Sequence, residues 1–411
     1  MTGSALLLYI STAIILQVLL LGGAGFLRYQ AAVRPGAVSS PVAASNTSGA
    51  SWAGWRDFRV ARRAYEDLQH SQCSFYLEPV DGMALPPFKP GQFLTFQLDT
   101  PGQALTRCYS LSDRPSTEHY RVTIKRQSAP PGLPDLPPGL ASNHFHSTVQ
   151  VGNILRVRAP TGVFYVDPDP SHDIVLIAGG IGITPMLSML RWCVDEQPMR
   201  GIYLYYGLRG GGEHVFKQQL AQLASTHPNF HLTVAYSQPG PDDQLGRDFQ
   251  HQGHVDLDLI KKSLPHGHHQ FYICGPAPMM QSLVPALAAW GVAPADIHFE
   301  AFGPASVRSI NNTSNVSQPA TQDGTAQSFE VQFLQSARTL LWTADSGTLL
   351  DFAETNGIKV DSGCRAGSCG ACETRLISGN IRYADKPDYD IGADKCLLCV
   401  GIPSSNLVLA A

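Results

Sequence analysis

Apolar and polar positions change rhythm three times along the chain, and each rhythm predicts a different architecture. Between Ser71 and about Pro170, segments such as Gln92–Leu98 (QFLTFQL) and Tyr120–Arg126 (YRVTIKR) alternate with period two and are separated by turn residues, which predicts antiparallel strands. The proline-rich insert Pro130–Gly139 cannot be a central strand and is expected as a surface loop. From Asp173 the pattern becomes continuous apolar runs, DIVLIA, IYLYYG, LTVAYS and FYICG, spaced by helix-like stretches. That is the signature of parallel βα units. Two segments, Val33–Gly54 and Ala305–Gln327, are rich in small and polar residues and read as linkers.

The first apolar stretch is of another kind. Ala5–Leu27 holds 23 residues without a charge, which as a helix spans ~34 Å and suffices to cross a hydrocarbon core of about 30 Å. Met1–Ser4 carries no basic residue, so a retained anchor is expected rather than a cleaved signal peptide. Arg28 and Arg34 follow it, which by the positive-inside rule predicts a single-pass membrane protein with its catalytic domains in the cytoplasm.

Composition narrows the function. The 411 residues carry a net charge of −4, with 44% hydrophobic and 15% charged residues, which excludes disorder and argues against nucleic acid as the main partner. Of nine cysteines, Cys73, Cys108, Cys193 and Cys274 are scattered through apolar surroundings, where buried free thiols are expected. The other five crowd the end of the chain. Cys364, Cys369 and Cys372, followed after 26 residues by Cys399, have the spacing of a plant-type 2Fe–2S site. Gly363, Gly367, Ser368, Gly370 and Ala371 keep the loop small and leave its backbone N–H groups free to bond anionic sulfur. A zinc site built on the pairs Cys369/Cys372 and Cys396/Cys399 is the competing reading, but it leaves Cys364 and the glycine-rich loop unexplained.

Three further motifs carry chemistry. RCYSLS (Arg107–Ser112) offers an Arg to clamp phosphate, a Tyr to cover a ring and a Ser to bond a ring nitrogen. PGQF (Pro90–Phe93) precedes it, and GLASNHFH (Gly139–His146) offers a Ser/Asn cap opening a short helix, a phosphate site. LIAGGIGITPMLSML (Leu176–Leu190) puts Gly179, Gly180 and Gly182 between a buried strand and a helix, with Pro185 suited to its first position. CGPAPMM (Cys274–Met280) and EAFGP (Glu300–Pro304) follow.

With these motifs the chain from about Arg56 to Pro304 resembles the ferredoxin–NADP reductase superfamily, and Ser328–Ala411 resembles plant-type ferredoxins. The order flavin, nucleotide, ferredoxin looks like the phthalate dioxygenase reductase-like group. The resemblance implies Arg107 on the flavin phosphates, Tyr109 against the isoalloxazine, Ser110 near its N5, and Phe93 and Ser142 as supporting contacts. It also implies Thr184 and Cys274 flanking the nicotinamide, Phe302 near the flavin, and Cys364, Cys369, Cys372 and Cys399 as cluster ligands, with Cys396 a bystander. Ser110, Thr184 and Cys274 are thus the candidate catalytic residues.

The expected fold is multidomain: a transmembrane anchor (1–30), a linker (31–55), an antiparallel FAD-binding β-barrel (56–170), an α/β NAD(P)H-binding domain (171–304), a linker (305–327) and a β-grasp ferredoxin domain (328–411). The Ser142–Asn143 helix start resembles the pyrophosphate-binding segment of the family's FAD members, which implies FAD over FMN. No acid stands at the ribose position after IYLYYG and Arg209 could hold a 2′-phosphate, yet relatives with a fused ferredoxin mostly use NADH. The expected activity is that of an NAD(P)H-dependent reductase passing electrons through FAD and a 2Fe–2S cluster to an acceptor protein. A membrane-bound di-iron hydroxylase or desaturase leads among acceptors, followed by a Rieske oxygenase. A quinone-reductase flavin subunit and a non-enzymatic membrane redox sensor are the alternatives.

Overall fold

The computed structural model describes residues 52, 54–100, 103–129, 138–302, 328–384, 386, 387 and 389–411. The expected anchor, both linkers in the main, and most of the proline-rich loop lie outside the described residues. The expectation of a single-pass membrane protein is corrected here: among the described residues no helix is long and apolar enough to cross a membrane. Segment 5–27, on which that expectation rested, is not among them.

Strands β1 (Arg56–Tyr65), β2 (Gln72–Pro79), β3 (Phe93–Thr100), β4 (Gln103–Ser110), β5 (Tyr120–Lys125) and β6 (Ile154–Thr161) form one antiparallel sheet in the order β4-β3-β6-β1-β2-β5. A bridge between Leu111 and Val122 joins the ends of the outer strands and closes the sheet on itself. Phe58, Phe75, Phe96 and Tyr120 fill the interior, and the helix Leu140–Ser147 adds Phe145 to the same core.

The period-two pattern of β3 and β5 does not become an alternation of buried and wet faces. Thr95 and Arg121 are buried, at 0% and 4% exposure, because the outer faces of these strands are covered by the rest of the chain. Arg121 lies against the Phe216 ring and faces the Asp113 carboxylate at 3.5 Å. Asp113 in turn pairs with Arg191 at 2.8 Å, and its carbonyl accepts from the Ser188 hydroxyl at 2.7 Å. Polar residues thus mark a seam between modules, where each charge has a partner.

The second sheet is parallel throughout, in the order β10-β9-β8-β7-β11-β12: β7 (Asp173–Gly179), β8 (Ile202–Leu208), β9 (Phe230–Tyr236), β10 (His251–Gln252), β11 (His269–Gly275) and β12 (Ile297–Ala301). Every residue of β11 is buried, as expected for a central strand covered on both faces. Helix Ile183–Glu196 begins at Ile183 after a short turn Gly180–Gly182, so Pro185 is its third residue and not its first. An N–H there lacks an intrahelical partner anyway, which is why the proline is tolerated.

The third module packs helix Leu349–Thr355 against a five-stranded sheet, β14-β13-β19-β15-β17, made of β13 (Ser328–Phe333), β14 (Arg338–Thr343), β15 (Glu373–Ser378), β17 (Lys395–Leu397) and β19 (Leu407–Leu409). Strands β16 (Ile381–Tyr383) and β18 (Gly401–Pro403) pair separately.

Candidate functional site

The loop Ser362–Cys372 connects to β15 and is shaped by three residues with positive φ: Arg365 (56°), Gly367 (74°) and Gly370 (68°). Arg365, the one side chain among them to bear that conformation, is tied down by Glu354 and by Asp351 at 3.5 Å. The turns aim backbone N–H groups at sulfur. Ala366 and Ser368 donate to Cys364 Sγ at 3.4 Å, Cys364 donates to Cys369 Sγ at 3.2 Å, Ala371 to the same sulfur at 3.5 Å, and Cys399 to Cys372 Sγ at 3.4 Å.

Cys364 lies against Cys369 and Cys372 against Cys399, while Cys369 also meets Cys108. The Cys399 thiol bonds Cys372 and pushes its pKa down. Among the described residues no three His, Cys, Asp or Glu side chains converge on a single metal ion. Cys396 turns away, its Sγ donating to the Thr374 carbonyl at 3.4 Å. The donor set and its N–H groups fit an anionic iron–sulfur cluster.

Beside this loop lies a cavity of about 390 Å³, within the range of roughly 300–1,000 Å³ usual for small-molecule sites. All three modules line it. The antiparallel sheet contributes Phe93, Cys108, Tyr109 and Ser110; the parallel-sheet module Ile181, Thr184, Glu300 and Phe302 from its strand, turn and helix ends; the cysteine loop Gly363, Cys364, Arg365, Ala366 and Ser368. Aromatic walls with a few converging polar groups fit a flat, largely apolar ring system such as a flavin.

The expected site residues are distributed as follows. Tyr109 packs edge-on against Phe96 and Phe145, with centroids 5.8 and 5.2 Å away. Phe93 closes over Gly162, where a Cβ would come within 2.8 Å of its ring. Arg107 directs one guanidinium nitrogen to the carbonyls of Thr106 (2.7 Å) and Ser362 (3.3 Å). Ser142 does not open its helix: Gly139 is the cap residue, and Ser142 is the third helical residue. Its hydroxyl accepts from Gln127 N and donates to the Gly139 carbonyl, both at 3.1 Å, so it ties the helix to the preceding strand end. That corrects the expected Ser/Asn cap.

Thr184 lines the cavity, its hydroxyl donating to the Ile181 carbonyl at 3.0 Å. Cys274 is fully buried in β11, which drives its thiol pKa well up. The three glycines differ. A Cβ on Gly182 would lie 2.1 Å from the Cys274 carbonyl oxygen, and one on Gly179 would meet Pro276 and Met279. These two serve packing between turns. Gly180, with φ 53°, faces open space. Arg209 is largely exposed, 3.8 Å from Glu213.

One residue escaped the sequence reading although its motif was noticed. Glu300 lies on the cavity wall and accepts from the Ser110 hydroxyl at 3.4 Å. Desolvation first, and the nearby Cys364 second, push its pKa up to about 8. The signal available in the sequence was a single acid within EAFGP.

Comparison with known proteins defines the class. Residues 69–165 match an oxidoreductase FAD-binding domain, 176–284 an oxidoreductase NAD-binding domain, and 334–404 a 2Fe-2S iron-sulfur cluster binding domain. The protein is an oxidoreductase whose cofactors are FAD, NADH and a 2Fe–2S cluster.

Particular likenesses follow two lines. The chain is 37% identical over 257 residues to a flavohemoprotein of Halalkalibacterium halodurans, covering 61% of each chain. It is 38% identical over 255 residues to that of Rhizobium meliloti, covering 62% of each. The chain thus spans about three fifths of the length of these curated relatives. Among structures, the flavohem-like FAD/NAD-binding domain of nitric oxide dioxygenase from Vibrio cholerae O1 biovar El Tor is similar at 33% identity and a TM-score of 0.53, over 61% of this chain and 99% of that one. Phthalate dioxygenase reductase, a modular structure for electron transfer from pyridine nucleotides to [2Fe-2S], is similar over 87% of this chain and 98% of that one, at 25% identity and a TM-score of 0.51.

Proposed function

We propose that the protein is an iron–sulfur flavoprotein reductase that takes electrons from NADH and delivers them singly to a separate acceptor protein. The observation that carries this reading is the shared cavity: the flavin-binding sheet, the nucleotide-binding sheet and the cysteine loop each supply one wall. Bound flavin accepts two electrons as hydride and can release them one at a time, and the cluster carries single electrons outward.

The chain's own residues bind, orient and manage protons. Tyr109 and Phe93 would hold the ring from the antiparallel sheet, with Arg107 and Ser142 toward the phosphates and Phe302 over the ring. Ser110 and Glu300 form a hydroxyl–carboxyl pair at the cavity wall, and Glu300 carries its proton at neutral pH because its pKa is about 8. With a flavin bound, this pair would stand on the cavity wall as a proton donor toward the ring. Gly180 leaves room for the nucleotide pyrophosphate, while Thr184 and Cys274 stand at the ends of the two turns beside it. Cys364, Cys369, Cys372 and Cys399 hold the cluster.

The likeness to phthalate dioxygenase reductase supports an oxygenase component as acceptor. A membrane di-iron acceptor loses its argument, because that argument rested on the anchor.

Steady-state assays with two acceptors test the reading. Ferricyanide can be reduced directly from flavin, whereas cytochrome c reports the cluster exit. Cys399→Ser should keep NADH:ferricyanide activity and lose most cytochrome c reduction. Equal retention of both would overturn the proposed route.

A further inference from the structure

Cys108 has no role in the scheme above. It sits on β4 between Arg107 and Tyr109, yet its thiol faces the cysteine loop rather than the sheet interior. An ideal Cβ on Gly363 would lie 2.7 Å from Cys369 Sγ and 3.3 Å from Cys108 Sγ. The two sulfurs share the space that only a glycine at 363 leaves open. Cys108 also lines the cavity, so it borders the flavin site on one side and a cluster ligand on the other.

This approach is held from both flanks. Arg158 Nη1 donates to the Cys369 carbonyl at 2.9 Å and Thr161 Oγ1 to the Ser368 carbonyl at 3.1 Å. Arg107 reaches Ser362 on the other arm of the loop. Behind Cys108, Thr95 Oγ1 lies 3.5 Å from its sulfur. The threonine hydroxyl can donate to Cys108, leaving the S–H free to point at Cys369.

We propose that Cys108 is a positioning residue for electron transfer, a thiol donor from the flavin-binding sheet to the sulfur of Cys369 that raises the cluster's reduction potential. The inference rests on Cys369 being a cluster ligand. Its physical basis is simple. Ligand sulfur carries part of the charge that a cluster gains on reduction, so a donor stabilises the reduced form more than the oxidised one. An S–H is a weak donor, but a chain from Thr95 through Cys108 polarises it. The residue thereby biases the electron toward the cluster and away from the flavin.

The test is a potentiometric titration of the full chain followed by EPR, with iron and sulfide counted in each sample. Cys108→Ala should keep the cluster, change its EPR spectrum and lower its midpoint potential, on the order of a tenfold change in electron distribution, ~59 mV for one electron. Cys108→Ser, which keeps a donor, should restore most of the shift. An unmoved potential in Cys108→Ala overturns the inference, and so does a shift that serine fails to rescue. Should Cys108→Ala lose its cluster, Thr95→Val is read instead: a downward shift supports the donor chain and no shift overturns it. Cys369→Ser separates the two levels. An intact, unchanged cluster there would remove the ligand reading itself, whereas cluster loss there with an unmoved Cys108→Ala sinks only the inference.

Discussion

The Ser110 hydroxyl donates to the Glu300 carboxyl at 3.4 Å, joining the end of β4 to the end of β12 across the cavity. The two residues come from different sheets, 190 positions apart in sequence. Their meeting places a protonated acid on the wall of the cavity that all three modules line.

This pair makes the pH dependence predictable. The Glu300 pKa is raised to about 8, so the carboxyl holds its proton below that value and loses it as pH rises through it. Flavin turnover with NADH should therefore decline on the alkaline side of about pH 8. Glu300→Gln should remove that limb and slow turnover by about 10²-fold, the lower range for general acid–base groups. Stopped-flow flavin reduction and reoxidation from pH 6 to 10 measure both effects. A limb unchanged in the glutamine variant would assign it to another group.

The glycine turn offers a paired test. Gly180→Ala meets no neighbour but must adopt φ 53°, a cost of about 1–2 kcal/mol, so the protein should fold with weakened NADH binding. Gly182→Ala instead drives a Cβ into the Cys274 carbonyl and should lower thermal stability by an overpacking cost of about 1–3 kcal/mol. Thermal melts beside NADH Kd values distinguish the two. Equal loss of NADH affinity in the two variants would mean that the open space at Gly180 is irrelevant.

Docking of the cysteine loop should control transfer between the cofactors. A Cβ on Gly370 would lie 2.2 Å from the Tyr389 ring and 2.7 Å from Arg158 Nη1, at φ 68°. Arg158 also bonds the Tyr389 hydroxyl at 3.2 Å and lies over Trp55, 4.7 Å from its ring centre. Arg158→Ala removes a charged hydrogen bond of about 1.5–3 kcal/mol. Both it and Gly370→Ala should slow cluster reduction after NADH mixing while flavin reduction keeps its rate. Rapid-mixing spectra at flavin and cluster wavelengths report the two steps separately.

Two cysteines three residues apart should behave oppositely. Cys396→Ser should retain two irons and two acid-labile sulfides per chain, because its sulfur is spent on the Thr374 carbonyl. Cys399→Ser should lose or strongly perturb the cluster. Iron and sulfide analysis of anaerobically purified protein decides it, and stoichiometric zinc without sulfide would favour the rejected alternative.

Local chemistry was legible in the sequence wherever it depends on neighbours along the chain. The spacing of Cys364, Cys369 and Cys372 with small residues between them, the glycine turn after β7 and the apolar runs of the parallel strands are short-range patterns set by backbone geometry and burial. The same short range explains the misplaced helix start at Ser142, since a capping sequence cannot reveal that Gly139 already ends the strand connection. Only the tertiary structure decided what depends on distant segments: Glu300 against Ser110, Thr95 and Arg121 buried under other modules, and Cys108 beside Cys369. Those pairings are fixed by how three separately patterned modules press together, and hydrophobic periodicity within one module carries no record of the surface it will meet.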